Sequence, residues 1–250
     1  MSTPPPAARG WRSLHLAALV RAAGLAGARV TPGTVQAPRE HRGGGVHAAL
    51  PSGAVRPLLV APGVPATQTD ATTCGAAVLT ILAADGDPAV QRWLEEGAPG
   101  TAGRFGALQH AAHRASRTGA CGLRTWPAAW GTPPWGAARA ARWGTVRYTH
   151  RVVDDGAPDD LGPVRRAVDA ALDAGIPVPV FVGGDLGQGV TRAVPRHVVL
   201  LGSRHGDRYT VYEPSAGLLH GVEADGLWSG ERRAAALGGW THVTWVLLPR

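Results

Sequence analysis

Four residues have the types and the spacing that thiol chemistry requires. Cys74 and Gly75 stand where the polar stretch QTDATT gives way to the apolar segment CGAAVLTILAA, and Gln68 lies six residues before the cysteine. A thiolate is stabilised at a helix N-terminus, and a backbone N–H and a side-chain amide can stabilise the oxyanion formed when it attacks a carbonyl. The segment therefore predicts Cys74 as a nucleophile, with its own N–H and the Gln68 amide as oxyanion donors.

A base and an orienting group for this cysteine occur much later in the chain. His197 begins the apolar segment HVVLLG, and Glu213 ends the segment DRYTVYE, with only a short turn between the two segments. In a β-hairpin, the start of the first strand lies beside the end of the second. The spacing therefore predicts that Glu213 orients His197, which serves as general base and acid for Cys74.

This ordered set resembles the motifs of the papain-like cysteine peptidases, and most closely those of the C39-like peptidase group. The similar pieces are Gln68, Cys74–Gly75, His197 at the head of an apolar strand, and YEPSAG after it, over about residues 64–250. The resemblance implies a stand-alone hydrolase of peptide or amide bonds that forms a thioester acyl-enzyme on Cys74 and needs no metal or organic cofactor. That family usually has Asp or Asn where this chain has Glu213.

The elements around these residues predict an α+β fold. An apolar helix begins near Cys74 and ends at DGDP, where Asp87 caps a second helix, and a third covers AGRFGALQHAAHRA. Strand-like segments follow, with one amphipathic helix over residues 162–175, and the prolines of IPVPVFVGG predict an edge strand or a bulge. We expect a papain-like layout, in which the Cys-bearing helix packs on a C-terminal antiparallel sheet.

The charge of the chain is concentrated at its N-terminus. Residues 1–62 hold seven Arg and one Glu, although the whole chain has a net charge of +7. We predict that 1–62 is a basic Pro/Gly/Arg-rich arm, partly disordered with a possible helix over Trp11–Ala28, and that 63–250 is the papain-like domain. No nucleic-acid partner is expected, because the arm lacks interleaved aromatic residues. No apolar run reaches 18 residues, so we expect no membrane span and a cytoplasmic location.

Two further residues are predicted to line a substrate groove. Trp135 lies in the loop segment TPPWG, and Gly75 has no side chain to obstruct an approaching substrate. His110 and His113 share a helix face and could form half of a metal site, but no third ligand is evident, and no metal is expected. Cys121, in the turn TGACGLR, has no base nearby in sequence and is predicted to take no part in the chemistry.

The residues leave two alternatives to a hydrolase. An acyl or aminoacyl transferase would use the same acyl-enzyme with a different acceptor, and an inactive papain-like binding module would hold a peptide or protein without chemistry. In each case the expected partner is a peptide or protein. The oligomeric state and the cleavage specificity stay open.

Overall fold

The computed structural model describes residues 16, 20, 45–96, 100–120, 122, 124–189, 191–230 and 233–250. Most of the predicted basic arm lies outside these residues, including the predicted helix over Trp11–Ala28 apart from Leu16 and Val20. Cys121 also lies outside them, so the prediction made for it stays a prediction.

Six α-helices form in the described chain. Their bounds are α1 Cys74–Gly86, α2 Pro88–Glu95, α3 Thr101–Arg117, α4 Pro134–Ala140, α5 Pro158–Asp173 and α6 Ala224–Trp228. Almost every residue of α1 is buried, because its small and aliphatic side chains surround the whole helix. As predicted, Asp87 caps α2, and its carboxylate accepts a 2.8 Å hydrogen bond from the Ala89 N–H.

Ten strands accompany the helices. Their bounds are β1 Val55–Pro57, β2 Leu59–Ala61, β3 Val64–Pro65, β4 Arg142–Trp143, β5 Val146–Val152, β6 Val178–Gly183, β7 Pro195–His205, β8 Arg208–Glu213, β9 Leu218–Glu223 and β10 His242–Pro249. Eight strands form one antiparallel sheet in the order β1-β9-β8-β7-β6-β10-β5-β4, and β2 pairs with β3. The predicted combination of helices with an antiparallel sheet is confirmed, whereas the papain-like layout stays a prediction.

Helix α1 lies at the centre of the fold. It contacts α3 on one side and strands β7 and β4 on another, and its buried side chains join those of β6, β7 and β10 in one hydrophobic core. This packing fixes the N-terminus of α1, where Cys74 lies, relative to the strand that carries His197.

The prolines of β6 led to a wrong expectation of an edge position. Strand β6 lies inside the sheet, between β7 and β10. Pairing with β10 extends only as far as Val180, so Pro179, which has no N–H to donate, lies just beyond that ladder. A register shift at Val182 and Gly183 supplies the irregularity that the prolines also suggested.

Part of the predicted arm belongs to the sheet. Strand β1 pairs with β9 and forms the edge of the sheet, and Val46 is buried in the core. Gly202 of β7 has no side chain, and a Cβ there would overlap the Val46 carbonyl group. Residues 45–61 therefore add a strand to the sheet and pack against it. The division of the chain at residue 62 stays a prediction.

Candidate active site

Cys74 is the first residue of α1 and is only 6% exposed. The preceding residue, Thr73, does not cap the helix with its side chain, because its hydroxyl group binds the backbone N–H and carbonyl of Asp70, each at 3.0 Å. Within the described residues, the Cys74 N–H has no hydrogen-bond acceptor. The sulfur and an open backbone donor therefore lie together at a helix N-terminus, where the helix dipole favours negative charge.

His197 and Glu213 form a buried pair next to this cysteine. Glu213 Oε1 lies 2.7 Å from His197 Nε2, and the two residues are 3% and 6% exposed. The carboxylate also accepts hydrogen bonds from the backbone N–H groups of Ser215, at 2.8 Å, and Ala216, at 2.9 Å. Cys74 is the other side chain that interacts with the His197 ring, and both residues line the same cleft.

The electrostatics of the pair favour its charged form. Burial alone would lower the pKa of His197, but its hydrogen bonds with Cys74 and Glu213 outweigh burial and raise the pKa to about 9. Burial alone would raise the pKa of Glu213, but hydrogen bonds from His197, Ser215 and Ala216 lower it to about 2. The imidazolium and the carboxylate thus stabilise each other at neutral pH.

A β-bulge in the hairpin decides on which face Glu213 lies. Next to the turn, His205 pairs with Arg208, but farther along Leu200 pairs with Tyr212, so the register has shifted by one residue. Gly202 is the extra residue on β7 that produces this shift.

The shift brings the glutamate to the histidine. Continuing the observed register places Glu213 opposite Val199, which points to the same face as His197 because alternate residues of a strand share a face. Without the bulge, Glu213 would be opposite Leu200, on the other face of the sheet. The bulge is therefore required for the predicted contact between Glu213 and His197. The residue types alone do not predict the bulge.

Gln68 lies at the same corner of the site but is held by other groups. Its side-chain N–H donates to the Asp70 carbonyl at 2.7 Å, its Oε1 accepts from the Ser215 hydroxyl at 3.2 Å, and its backbone N–H donates to the Pro214 carbonyl. It is thus tied to the turn that follows Glu213. Its predicted role as an oxyanion donor stays a prediction.

A cleft of about 350 Å³ opens in front of the cysteine and the histidine, both of which line it. Its other walls include Thr132 from the loop before α4, Arg192 from the loop before β7, and Trp240 from the loop before β10. These loops are far apart in the sequence, so no local pattern could have identified the walls.

The two predicted groove residues have different positions. Gly75 does not line the cleft, because it is buried in α1 and the Thr132 side chain occupies the space where its own would be. The group that approaches Gly75 closely is the Thr132 side chain, and the predicted role of the glycine in a substrate groove stays a prediction. Trp135 also lies outside the cleft, in an adjacent cavity.

That adjacent cavity is apolar and has a volume of about 450 Å³. Trp126 packs edge to face against Trp130 and Trp135, with ring centroids 5.2 and 5.4 Å apart, and Trp130 lines both this cavity and the cleft. Leu16, one of the two described residues of the predicted arm helix, also lines the cavity, and its N–H donates to the Ala193 carbonyl at 2.6 Å. Leu16 therefore contributes an aliphatic residue to the wall of the cavity beside the cleft.

Gly238 is a site residue that the sequence analysis missed. It has a φ of +62°, and a Cβ there would lie 2.6 Å from Cδ2 and 2.8 Å from Nε2 of His197. The turn that ends at Gly238 therefore covers the ring edge that meets Glu213. The only signal in the sequence is the pair Gly238–Gly239, and glycine pairs are common in turns.

The metal and membrane predictions can be compared with the described residues only. In the described ranges, no three His, Cys, Asp or Glu side chains group as a metal site. Across those same ranges, no helix has the length and apolar character needed to span a bilayer. The cytoplasmic location stays a prediction.

Comparison with solved structures finds several similar chains. The chain is similar to the crystal structure of a double glycine motif protease from an AMS/PCAT transporter in complex with the leader peptide, at 13% identity, 80% coverage of this chain, 94% of that chain, and a TM-score of 0.36. No family model matches the chain, and no curated protein is similar enough to count as a relative. Membership of the C39-like group therefore stays a prediction.

Proposed function

We propose that the protein is a thiol hydrolase that cleaves peptide or amide bonds through a thioester on Cys74. One observation carries the proposal: His197, held by a buried 2.7 Å hydrogen bond to Glu213, lines the same cleft as Cys74 and interacts with its thiol. The buried glutamate favours an imidazolium at His197, and a neighbouring histidine is the group that activates a cysteine nucleophile in thiol enzymes.

The reaction follows from these positions. The Cys74 thiolate attacks the carbonyl carbon, and the oxyanion that forms accepts hydrogen bonds from the open Cys74 N–H and from the second N–H of the Gln68 amide. The His197 imidazolium gives its proton to the leaving amine as the C–N bond breaks, which leaves a thioester. Neutral His197 then takes a proton from water as the water attacks the thioester, and the acid leaves with the thiolate and imidazolium restored.

The substrate that fits best is a peptide with a large apolar side chain near the cleaved bond. The apolar cavity shares Trp130 and Thr132 with the cleft. A bound peptide that places a side chain in the cavity would therefore lead its backbone past Cys74. The cavity walls support this choice, because Leu16 lines them together with Trp126, Trp130 and Trp135, and such a lining favours an apolar side chain.

Alkylation tests the nucleophile without knowledge of the substrate. We expect iodoacetamide at neutral pH to modify Cys74 at least about tenfold faster than Cys121, and the difference to disappear in His197→Gln. Peptide mapping by mass spectrometry measures both rates in the same sample. Equal, slow modification of both cysteines would contradict the proposal, as would a Cys74→Ala protein that cleaves peptides as fast as Cys121→Ala.

Product analysis separates the hydrolase from the transferase. Both form the same acyl-enzyme, so the products are compared with and without an added amine. A hydrolase yields the free acid in both cases, and a transferase yields a new amide when the amine is present. The 2.7 Å contact between His197 and Glu213 supports either enzyme over the inactive binding module.

A further inference from the structure

Two arginines face each other at the end of the sheet that β4 forms. Arg142 of β4 is the direct cross-strand partner of Arg147 of β5. Like charges in this position destabilise a strand pair unless something neutralises them. Arg250, whose backbone N–H donates to the Arg147 carbonyl at 2.8 Å, and Arg139 of α4 bring two more guanidinium groups to the same cavity, which has a volume of about 340 Å³.

Among the described residues, no Asp or Glu side chain lines the cavity of this group of four, which we call the arginine pocket. None of the four arginines forms an ion pair with any residue in the described chain. Arginines elsewhere do find acidic partners: Arg165 lies 2.6 Å from Asp225, and Arg204 lies 3.0 Å from Asp173.

Backbone carbonyl groups hold the guanidinium groups in place. Arg142 donates from one amino group to the carbonyls of Arg139 and Ala141, at 2.7 and 2.6 Å, and Arg139 donates to the carbonyl of Thr118. A guanidinium has five N–H donors, so most of them stay available after these contacts. Binding an anion would cost less ordering entropy at Arg142 and Arg139, because their guanidinium groups are already held.

The rest of the pocket adds rings and one buried polar atom. The Trp135 indole, 36% exposed, forms one wall, and His150 Nδ1 is buried without a hydrogen-bond partner in the described chain. Burial, together with the nearby charges of Arg147 and Arg250, lowers the pKa of Arg142, as expected for a guanidinium among like charges.

We propose that the arginine pocket binds a polyvalent phosphate chain, either an inorganic polyphosphate or the phosphates of a nucleotide. Planar guanidinium groups bind phosphate oxygens in bidentate fashion, and several convergent cations require an anion with several charges. The cavity is also larger than a single phosphate. The proposal does not depend on the chemistry of Cys74. A failure to bind polyphosphate would leave the proposed hydrolase unaffected, and an inactive Cys74 would leave the anion site unaffected.

Calorimetric titration of the full chain with tripolyphosphate, at fixed pH and ionic strength, tests the proposal. We expect saturable binding that weakens about a hundredfold in the double variant Arg142→Gln/Arg147→Gln, about tenfold for each charge-assisted contact. The matched control is Arg92→Gln/Arg166→Gln, which removes the same charge from exposed arginines outside the pocket and should change the affinity less than about twofold.

Three results would overturn the proposal: no saturable binding, the same loss in the control variant, or citrate binding as tightly as tripolyphosphate. Titration with ATP distinguishes the two sources of phosphate, because tighter binding of ATP assigns a nucleotide and equal binding assigns the phosphate chain alone. If the double variant does not fold, Arg250→Gln replaces it, since this exposed side chain makes no hydrogen bond, and about a tenfold loss is expected.

Discussion

Glu213 Oε1 lies 2.7 Å from His197 Nε2, although the two residues are not directly opposite each other in the hairpin. In the observed register Glu213 faces Val199, and His197 lies two positions farther along β7. Diagonal neighbours of this kind are about 7–8 Å apart and are within reach only of longer side chains. The additional methylene of glutamate, relative to aspartate, therefore suits this hairpin.

Glu213 can be varied in length and in charge separately. Glu213→Gln keeps the length and removes the charge, so we expect kcat/KM to fall by about tenfold to a hundredfold as the imidazolium loses its stabilising partner. Glu213→Asp keeps the charge and removes the reach, and we expect at least as large a loss. The control is Glu223→Gln, the same change at an exposed position of β9. A fully active Glu213→Asp protein would show that the diagonal reach is irrelevant.

Activity should depend on pH through His197. Because its pKa is raised to about 9, the imidazolium persists through neutral pH, and we expect the rate of acylation to decline only as the pH rises through about 9. In Glu213→Gln one cause of the raised pKa is gone, so this decline should move to lower pH. Stopped-flow acylation of Cys74 across pH 6–10 measures both profiles, and superimposable profiles would contradict the assignment.

The free energy of unfolding should depend on the same two groups. His197 binds its proton more tightly in the folded protein than at its usual pKa of 6.5, so its contribution is fully present below pH 6.5 and is lost as the pH rises through about 9. The pKa of Glu213 is lowered, so its contribution is present above its usual 4.5 and is lost as the pH falls towards about 2. Urea unfolding of wild type and His197→Gln from pH 5 to 10 should give curves that converge at high pH.

Gly238 should affect catalysis through His197 alone. In Gly238→Ala the new methyl group would lie 2.6 Å from Cδ2 of His197, so the ring must shift, and we expect kcat to fall about tenfold or more. Gly239→Ala is a close control, since Gly239 also has a positive φ, +82°, but has open space at its Cβ. Both variants should lose about 1–2 kcal/mol of stability from backbone strain, and only the first should lose activity.

Gly202 should affect both stability and the catalytic pair. A methyl group at the bulge would overlap the Val46 carbonyl, so we expect Gly202→Ala to lower the free energy of unfolding by about 1–3 kcal/mol. Any relaxation of the bulge also moves Glu213 away from His197, which should lower the upper pH limit of activity. Gly226→Ala, in α6 with open space at its Cβ, should change stability by less than about 1 kcal/mol. Equal effects of the two substitutions would show that the bulge is not constrained.

The local elements of this fold could be predicted because their causes are local. Asp at the cap and Pro at the first helical position favour the start of a helix, as at Asp87 and Pro88, and the segment from Pro195 to Glu213 pairs with itself through a two-residue turn. The position of β6 could not be predicted from its prolines, because where its pairing stops depends on β10, a strand that lies far away in the sequence.

The sequence by itself determined which side chains are able to do chemistry: a cysteine at the start of a helix, and a histidine and a glutamate in one hairpin. Only the tertiary structure decided whether they meet. Gly202 shifts the register so that Glu213 shares a face with His197, Gly75 admits Thr132 to the cleft wall, and β4 sets Arg142 opposite Arg147 at the end of the sheet. These relationships depend on strand register and on close approach between distant segments, which no single segment encodes.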